Sequence, residues 1–591
     1  MGTANISRGT FRTLAIVVAL STALLVPVQQ AQAQQVTPCD EGGGGSYAKV
    51  RRPAKYGFLP QQVVTIPSSL DGVPIQMSIV RPDVPAGTRV PVIVAASVYY
   101  HPLQDIDARI CKARLTENFV PQGYAVVLLA VRGSGDSGGC MNLMGPKERA
   151  DIDQAVTWLG QRPWSNAAVG MIGKSYDGAT QWMAAAHGSP YLKTIVPVSG
   201  VPDLFNLLFG GAVPDWRGPS TVINNLYYAE SAVFYAPGRS LQSTREVLAC
   251  PEYADGNAAA VYSGATGELD PFGYWTQRRY LRDVEENYRG SVLLVQGMQD
   301  WNVSPGQQFP WVNDLVAKSQ EAGAGSGIRI KYMLGQWGHS DPDGSRGDWA
   351  DILLNWFDHE LKGVQDADLG AVADVQDSSG RWRIAESWLP PGLLTRWALM
   401  ADARLAADGG PSGTKPIATD PFHVQTANQT VSLPEDIRSR CEGVTCASFS
   451  TEVFAEEFQI AGLPQVRMGV TPKGPGGQLS VHLFSVAGAQ TRRIGWGQVD
   501  LRFPNGVAAG APKANTVTPA QRVELDFALQ PMDAVVPAGA KLVMVVSQGT
   551  AHNRTPGMAG APMDVHVGAG QSSLTVTHVK PDPADFFTPR R

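Results

Sequence analysis

Charge is scarce in this chain. Only 17% of its 591 residues are Asp, Glu, Lys or Arg, against roughly 25% in an ordinary soluble domain. The 48 Lys and Arg nearly balance the 53 Asp and Glu, giving a net charge of −5, and no basic run occurs. Such a surface has no electrostatic footprint for nucleic acid or an anionic membrane face. Histidine is scarce too, nine residues in all, and no two cysteines stand at Cys-x-x-Cys spacing. A zinc centre therefore has no support, and neither metal nor cofactor is expected. No apolar run reaches the roughly 20 residues that a membrane-spanning helix needs. The longest, Leu14 to Val28, follows Arg8 and Arg12 and precedes Ala31-Gln32-Ala33. That order is the pattern of a secretory signal peptide over residues 1–33. It predicts a secreted or periplasmic protein that leaves the membrane once the signal is removed.

What the chain has in abundance is Gly (63) and Pro (43), beside 43% hydrophobic residues. The apolar content is enough to build cores and excludes a disordered chain. The turn-formers point to many short elements, and the length predicts about three domains or two large ones. All six cysteines (Cys39, Cys111, Cys140, Cys250, Cys441, Cys446) follow the signal. An even count in an exported chain favours disulfides. Cys441–Cys446 is the easiest local pair, and the other pairings stay open.

From about residue 60 to 360, continuous apolar runs alternate with helical stretches. Val90–Ala96, Tyr124–Val131, Val169–Gly173, Lys193–Ser199, Ser291–Gly297 and Ile328–Leu334 read as strands buried on both faces of a parallel sheet. Ile152, Ala155, Val156 and Leu159 repeat at helical spacing with one core face. The alternation predicts a doubly wound α/β domain over residues 34–365. An aromatic-rich stretch at about 201–288 reads as a helical cap over the strands' C-terminal ends. Beyond it, Gln478–Val486, Gln521–Leu529 and Lys541–Gln548 alternate apolar and polar residues. Residues 366–591 are therefore expected to form a β-sandwich.

Two serine motifs compete. Gly135-Asp136-Ser137-Gly138-Gly139 spells a trypsin-like string, but only His101 precedes it as a base. Its setting, a loop after a buried strand, makes it a tight Gly-rich turn. Gly173-Lys174-Ser175-Tyr176-Asp177-Gly178 sits instead between a strand and the helical run Ala179–His187. That is the setting of a nucleophile elbow, where a strained turn lifts the serine out of the sheet. The elbow also aims the next N–H, that of Tyr176, at a developing oxyanion. A serine hydroxyl needs a base, and the base an orienting acid, in the chain order Ser, acid, His on this fold. Asp300 follows the strand Ser291–Gly297, and His339 follows Ile328–Leu334. Ser175, Asp300 and His339 are the expected catalytic residues, with Asp341 or Asp343 as alternative acids.

With those residues in place, the chain resembles the X-prolyl dipeptidyl-peptidase/cocaine esterase family of α/β-hydrolases, which includes α-amino acid ester hydrolases and glutaryl acylases. The matches are Ser97-Val-Tyr-Tyr100, Val131-Arg-Gly-Ser-Gly-Asp-Ser-Gly138, the Ser175 elbow, Gln299-Asp300 and Gly335-Gln-Trp-Gly-His339. Downstream, Trp356–Gly363, Trp382–Pro390 and Val536–Met544 resemble the family's junction and C-terminal jelly-roll domain. The resemblance implies the same Ser175, Asp300 and His339 triad. It adds a tyrosine hydroxyl as a second oxyanion donor, matched better by Tyr99 than by its neighbour Tyr100, with the choice between the two left open.

The implied activity is hydrolysis of a small acyl ester or peptide through an acyl-enzyme. An X-Pro dipeptidyl-peptidase is the leading reading, with a carboxylesterase, amino-ester hydrolase or acyltransferase as alternatives. A non-catalytic carbohydrate-binding protein is the rival of another class. An enzyme that selects a free N-terminus needs a buried carboxylate for the ammonium. Asp203, Asp215 and Glu230 in the cap are the candidates, though helix capping would also account for them. The oligomeric state is left open.

Overall fold

The computed structural model describes residues 49–99, 115–214, 249–266, 270, 273–308, 312, 327–389, 391–407, 409–418, 446–506, 514–548 and 561–589. The expected signal peptide lies outside these residues. Among the described residues, ten strands before the sandwich build the main sheet: β1 (Gln62–Pro67), β2 (Pro74–Val80), β3 (Val90–Ser97), β4 (Ala125–Ala130), β5 (Ser165–Lys174), β6 (Leu192–Val198), β7 (Ser291–Gly297), β8 (Arg329–Gly335), β9 (Ala373–Gln376) and β10 (Trp382–Ala385). With a late strand, Phe586–Phe587, they form one eleven-stranded sheet in the order β1-β2-β4-β3-β5-β6-β7-β8-β9-β10 and then 586–587. The pairings from β4 through β3 to β9 are parallel, and the outer ones are antiparallel.

The parallel strands read as unbroken apolar runs because both their faces are covered. Along β3, Val92, Val94 and Ala96 pack into the core under helices α1 (Pro146–Gly160) and α2 (Tyr176–His187). Ile93 and Ala95 point the other way, into a core closed by Trp349, Leu353 and Phe357 of helix α6 (Trp349–Lys362). The helical face read from Ile152, Ala155, Val156 and Leu159 is buried along α1.

The cap contributes α3 (Leu204–Leu208), α4 (Pro251–Thr266) and α5 (Leu281–Asn287), while residues 215–248 lie outside the described set. Phe205 and Phe209 stack at 4.9 Å and meet Trp275 edge-on, so these cap aromatics form core. A disulfide joins Cys140, in the loop before α1, to Cys250, just before α4. Cys446 is also disulfide-bonded, to a partner outside the described residues.

The sandwich strands are β11 (Leu393–Leu399), β12 (Leu405–Ala406), β13 (Gly413–Ile417), β14 (Cys446–Ser450), β15 (Phe458–Gly462), β16 (Gln465–Pro472), β17 (Gln478–Ala487), β18 (Gln490–Asp500), β19 (Val523–Ala528), β20 (Met532–Val536), β21 (Lys541–Ser547), β22 (Met563–Val567) and β23 (Ser572–Val579). Nine form one sheet and four, in the order β14-β21-β17-β18, form the other. Alternate residues such as Val466, Met468 and Val470 face Leu479, Val481 and Leu483 across a shared core.

The α/β sheet continues past residue 365. β9 and β10 are too short and too polar, at Asp374, Gln376 and Arg383, to show a buried-strand pattern. Residues 586–587, here β24, return from the sandwich to pair with β10. The two layers also meet through a buried ion pair. Arg383 of β10 donates to Asp533 of β20, and Gln459 of β15 donates to the same carboxylate at 2.6 Å.

Arg383 and Asp533 are 2% and 1% exposed, so removing one leaves an uncompensated charge between the layers. Arg383→Met is expected to lower stability by about 3–5 kcal/mol in chemical denaturation. Arg383→Met combined with Asp533→Leu recovers most of that loss.

Candidate active site

Ser175 sits at the turn between β5 and α2 with φ 64° and ψ −118°. A non-glycine residue there carries about 1–3 kcal/mol of backbone strain and persists only where its surroundings over-determine it. Three features do so. The Ser175 N–H donates to the Val198 carbonyl at the end of β6, at 3.0 Å, and its own carbonyl accepts from Gly178 and Ala179 at the same distance. Gly178 lies against Gly200, and a Cβ at Gly178 would come within 2.5 Å of the Gly200 Cα. The third is Tyr176, the first residue of α2, whose buried phenol donates to Glu148 Oε2 at 2.6 Å.

Glu148 was not expected from the sequence, where it reads as an ordinary acid in the first turn of a helix. It is fully buried and also accepts from the N–H groups of Asn142 (2.6 Å) and Met144 (3.0 Å). Burial pushes its carboxyl up, against these donors and the Arg278 charge. Burial beside Glu148 likewise raises the Tyr176 phenol well above its ordinary value. Leu143 and Met144, on the loop Glu148 holds, both have positive φ. The amides that open a helix point along its axis, so fixing the Tyr176 side chain also fixes the direction of its N–H.

Asp300 follows the end of β7 and is fully buried. Its Oδ1 accepts from the N–H groups of Asn302 and Val303, both at 2.9 Å, and its Oδ2 lies 2.8 Å from His339 Nδ1. Gln296 approaches Oδ2 at 3.5 Å and is itself held by Gln308. His339 stands on the loop after β8 with its ring about one-fifth exposed. Of the three acids considered for it, Asp300 is the one bonded to the ring. Asp341 lies 3.9 Å from Lys174 Nζ. Asp343 has no hydrogen-bond partner for either oxygen among the described residues. Burial, and then the nearby Asp341 charge, push its carboxyl up to about 7.

The loop carrying His339 is braced from the sandwich. Gln336 Nε2 donates to the backbone carbonyl of Asp533 in the sandwich (3.1 Å) as well as to that of Gln376 in β9 (3.0 Å), and on the segment that follows Asp300, Gly306 N donates to Gln530 Oε1 at 2.7 Å.

Tyr99 follows β3, half-buried, with its ring edge-on to that of Tyr176 at 6.3 Å between centroids. Tyr100 lies outside the described residues. Asp203 caps the N-terminus of α3, accepting from Asn206 N and Nδ2 at 3.1 Å each, and its Oδ2 lies 3.3 Å from Arg279 Nε. Burial raises its carboxyl, and Arg279 opposes the rise. The other cap acids, Asp215 and Glu230, lie outside the described residues. Ser137 is buried in its loop, donating to the Ala130 carbonyl at 2.7 Å and accepting from Gln76 N at 2.8 Å.

The arrangement supplies a strained serine at the start of a helix and a histidine oriented by a buried carboxylate. All lie at the C-terminal ends of parallel strands, where ligands of open α/β sheets bind. The profile of the X-Pro dipeptidyl-peptidase family (S15) matches residues 71–341, and that of the X-Pro dipeptidyl-peptidase C-terminal non-catalytic domain matches 364–566. A Streptomyces avermitilis protein provisionally named Xaa-Pro dipeptidyl-peptidase is 28% identical over 551 residues, covering 80% of this chain and 76% of that one. The Xaa-Pro dipeptidyl-peptidase of Lacticaseibacillus casei is 22% identical, covering 76% and 62% respectively. Among solved structures, an α-amino acid ester hydrolase superposes with a TM-score of 0.68 at 19% identity, covering 90% of this chain and 98% of that one. A CocE/NonD family hydrolase of Staphylococcus aureus gives 0.66 at 17%, covering 87% and 93%. At these identities the structural likeness speaks for the fold.

Asp343 provides a pH test. Its folded value, about 7, lies above the ordinary 3.8, so the fold favours the protonated acid. Its destabilising effect is absent below about pH 4, grows as pH rises toward 7 and is complete above it. Asp343→Asn mimics the neutral acid. It is expected to raise the melting temperature by about 2–4 °C at pH 8 and to leave it unchanged near pH 4, as measured by thermal denaturation at both pH values.

Proposed function

The chain belongs to the X-Pro dipeptidyl-peptidase (S15) family of α/β-hydrolases, a family of serine hydrolases, and on that footing we propose that Ser175, His339 and Asp300 are its nucleophile, base and orienting acid. The observation that carries this reading is the 2.8 Å contact between the buried Asp300 carboxylate and His339 Nδ1, beside a serine at φ 64°. With Nδ1–H donated to Asp300, Nε2 is the basic nitrogen. It takes the Ser175 proton as Oγ attacks the substrate carbonyl. The Tyr176 N–H and the Tyr99 hydroxyl stabilise the oxyanion, an arrangement worth about 10²–10³-fold in rate per donor. His339 then protonates the departing amine or alcohol. Water, deprotonated by His339, attacks the acyl-enzyme and releases the acid together with free Ser175.

The substrate is proposed to be a peptide with proline at its second position, released as a dipeptide. The match of both family profiles in order supports this choice. An ester or simple acyl substrate is the second reading, and one observation favours it. Asp203, the one described cap acid offered as an ammonium site, already caps α3 and pairs with Arg279. Recognition of a free N-terminus would then fall to other cap residues. A secreted or periplasmic location is proposed from the leader pattern, and the Cys140–Cys250 disulfide supports an oxidising compartment. No cofactor enters the scheme.

Gly-Pro and Ala-Pro p-nitroanilides are expected to be hydrolysed, with loss of turnover when the N-terminus is acetylated. Comparable turnover of the acetylated anilide, or of p-nitrophenyl esters alone, would move the assignment to the second reading. Ser175→Ala is expected to lower kcat by about 10⁴-fold or more on any substrate. Equal rates for this variant and the wild type would refute the mechanism.

A further inference from the structure

Lys174 is the last residue of β5 and stands immediately before Ser175. Its ammonium reaches across to the loop after β8, donating to the His339 carbonyl oxygen at 3.0 Å. The neighbouring Asp341 Oδ2 lies at 3.9 Å, beyond hydrogen-bond reach, and both side chains are little exposed, 12% and 11%. In the sheet, β5 and β8 are separated by β6 and β7. Strand pairing therefore does not set the distance between the serine turn and the histidine loop directly, whereas this hydrogen bond joins them across both intervening strands. The loop is held near its start, by Gln336 and by Gln299 N–H to the Trp337 carbonyl, and the lysine bond adds a hold at His339 itself. Residues 336–341 have no helix or strand, and glycines stand at 335 and 338. The His339 ring is held at Nδ1 by Asp300, and one bond at one ring atom leaves the main chain behind it to be fixed by other means.

We infer that Lys174 is a positioning residue, which holds the main chain of His339 against the nucleophile turn so that the ring nitrogen not bonded to Asp300 is presented to Ser175. The inference rests on the proposed roles of Ser175 and His339. Lys174 acts through the histidine and need not touch the substrate. Its loss is therefore expected in kcat, with KM little altered. Misplacement of a catalytic group by about 1 Å costs on the order of 10²-fold.

The test uses the full-length protein and the p-nitrophenyl ester or dipeptidyl anilide that it turns over best. Lys174→Met keeps the aliphatic stem and is expected to lower kcat by about 10–100-fold. Lys174→Arg restores a cation with donors and is expected to return kcat to within about 5-fold of wild type. Lys174→Met with Asp341→Asn removes the unpaired carboxylate as well, and is expected to keep the kcat loss while regaining any lost thermal stability. The inference is overturned if Lys174→Met has wild-type kcat, if the defect lies in KM, or if the double variant recovers activity. Recovery in the double variant would mean that a stray charge, not a lost tether, caused the defect. Ser175→Ala and His339→Ala run in parallel keep the two readings apart. If these variants stay active, the triad reading fails. If they are inactive while Lys174→Met is not, only the present inference fails.

Discussion

A serine at φ 64° is the constraint on which the catalytic half of this molecule depends. An L-residue does not rest there unaided, and the residues around it hold it in place. Val198 accepts from its amide, the close approach of Gly178 and Gly200 lets α2 lie directly on the sheet, and Glu148 ties Tyr176 to the loop before α1. That loop is itself strained at Leu143 and Met144. Glu148 receives three donors at a fully buried site, so the desolvation of one carboxylate is offset by ordering two segments that would otherwise relax. The strain is thus distributed, and the turn is rigid because its neighbours have no alternative packing.

The second half of the molecule bears on the first through apolar contact, with Phe503 buried in the α/β core and Leu463 packed against it, and through polar groups. Asp533 gives its side chain to Arg383 and Gln459, and its backbone carbonyl to Gln336 on the histidine loop. One sandwich residue therefore both anchors the last strands of the α/β sheet and supports the loop that carries His339. Buried polar contacts of this kind contribute little net stability but tolerate few alternative geometries. The sandwich accordingly acts here as a brace for the loop that carries His339.

Much of this was legible in the residues. The parallel strands could be read because burial on both faces writes unbroken apolar runs such as Val90–Ser97, and the elbow because a serine between a strand and a helix needs small neighbours. Asp300 and His339 were found from their places just past strand ends, and the structure brings the two together. β9, β10 and β24 were not legible: short strands at a polar edge carry no periodicity. Glu148 and Lys174 were missed for another reason. Each has a local sequence setting that suits a solvated residue, and only tertiary packing removes the water. Tyr100 and two of the three cap acids lie beyond the described residues, and Asp203 serves as a helix cap, a role open to any Asp before a short helix.

The pairing of β24 with β10 gives the chain an order of assembly. Residues 586–587 leave the ribosome after every sandwich strand, from Leu393 to Val579. Until they arrive, β10 presents an open edge whose N–H and C=O groups invite the wrong partner. The α/β sheet, though encoded almost entirely upstream, therefore takes its outermost strand from beyond the sandwich. An emerging chain cannot make that pairing until every sandwich strand has been synthesised, so one edge of the first layer is covered by residues encoded beyond the second.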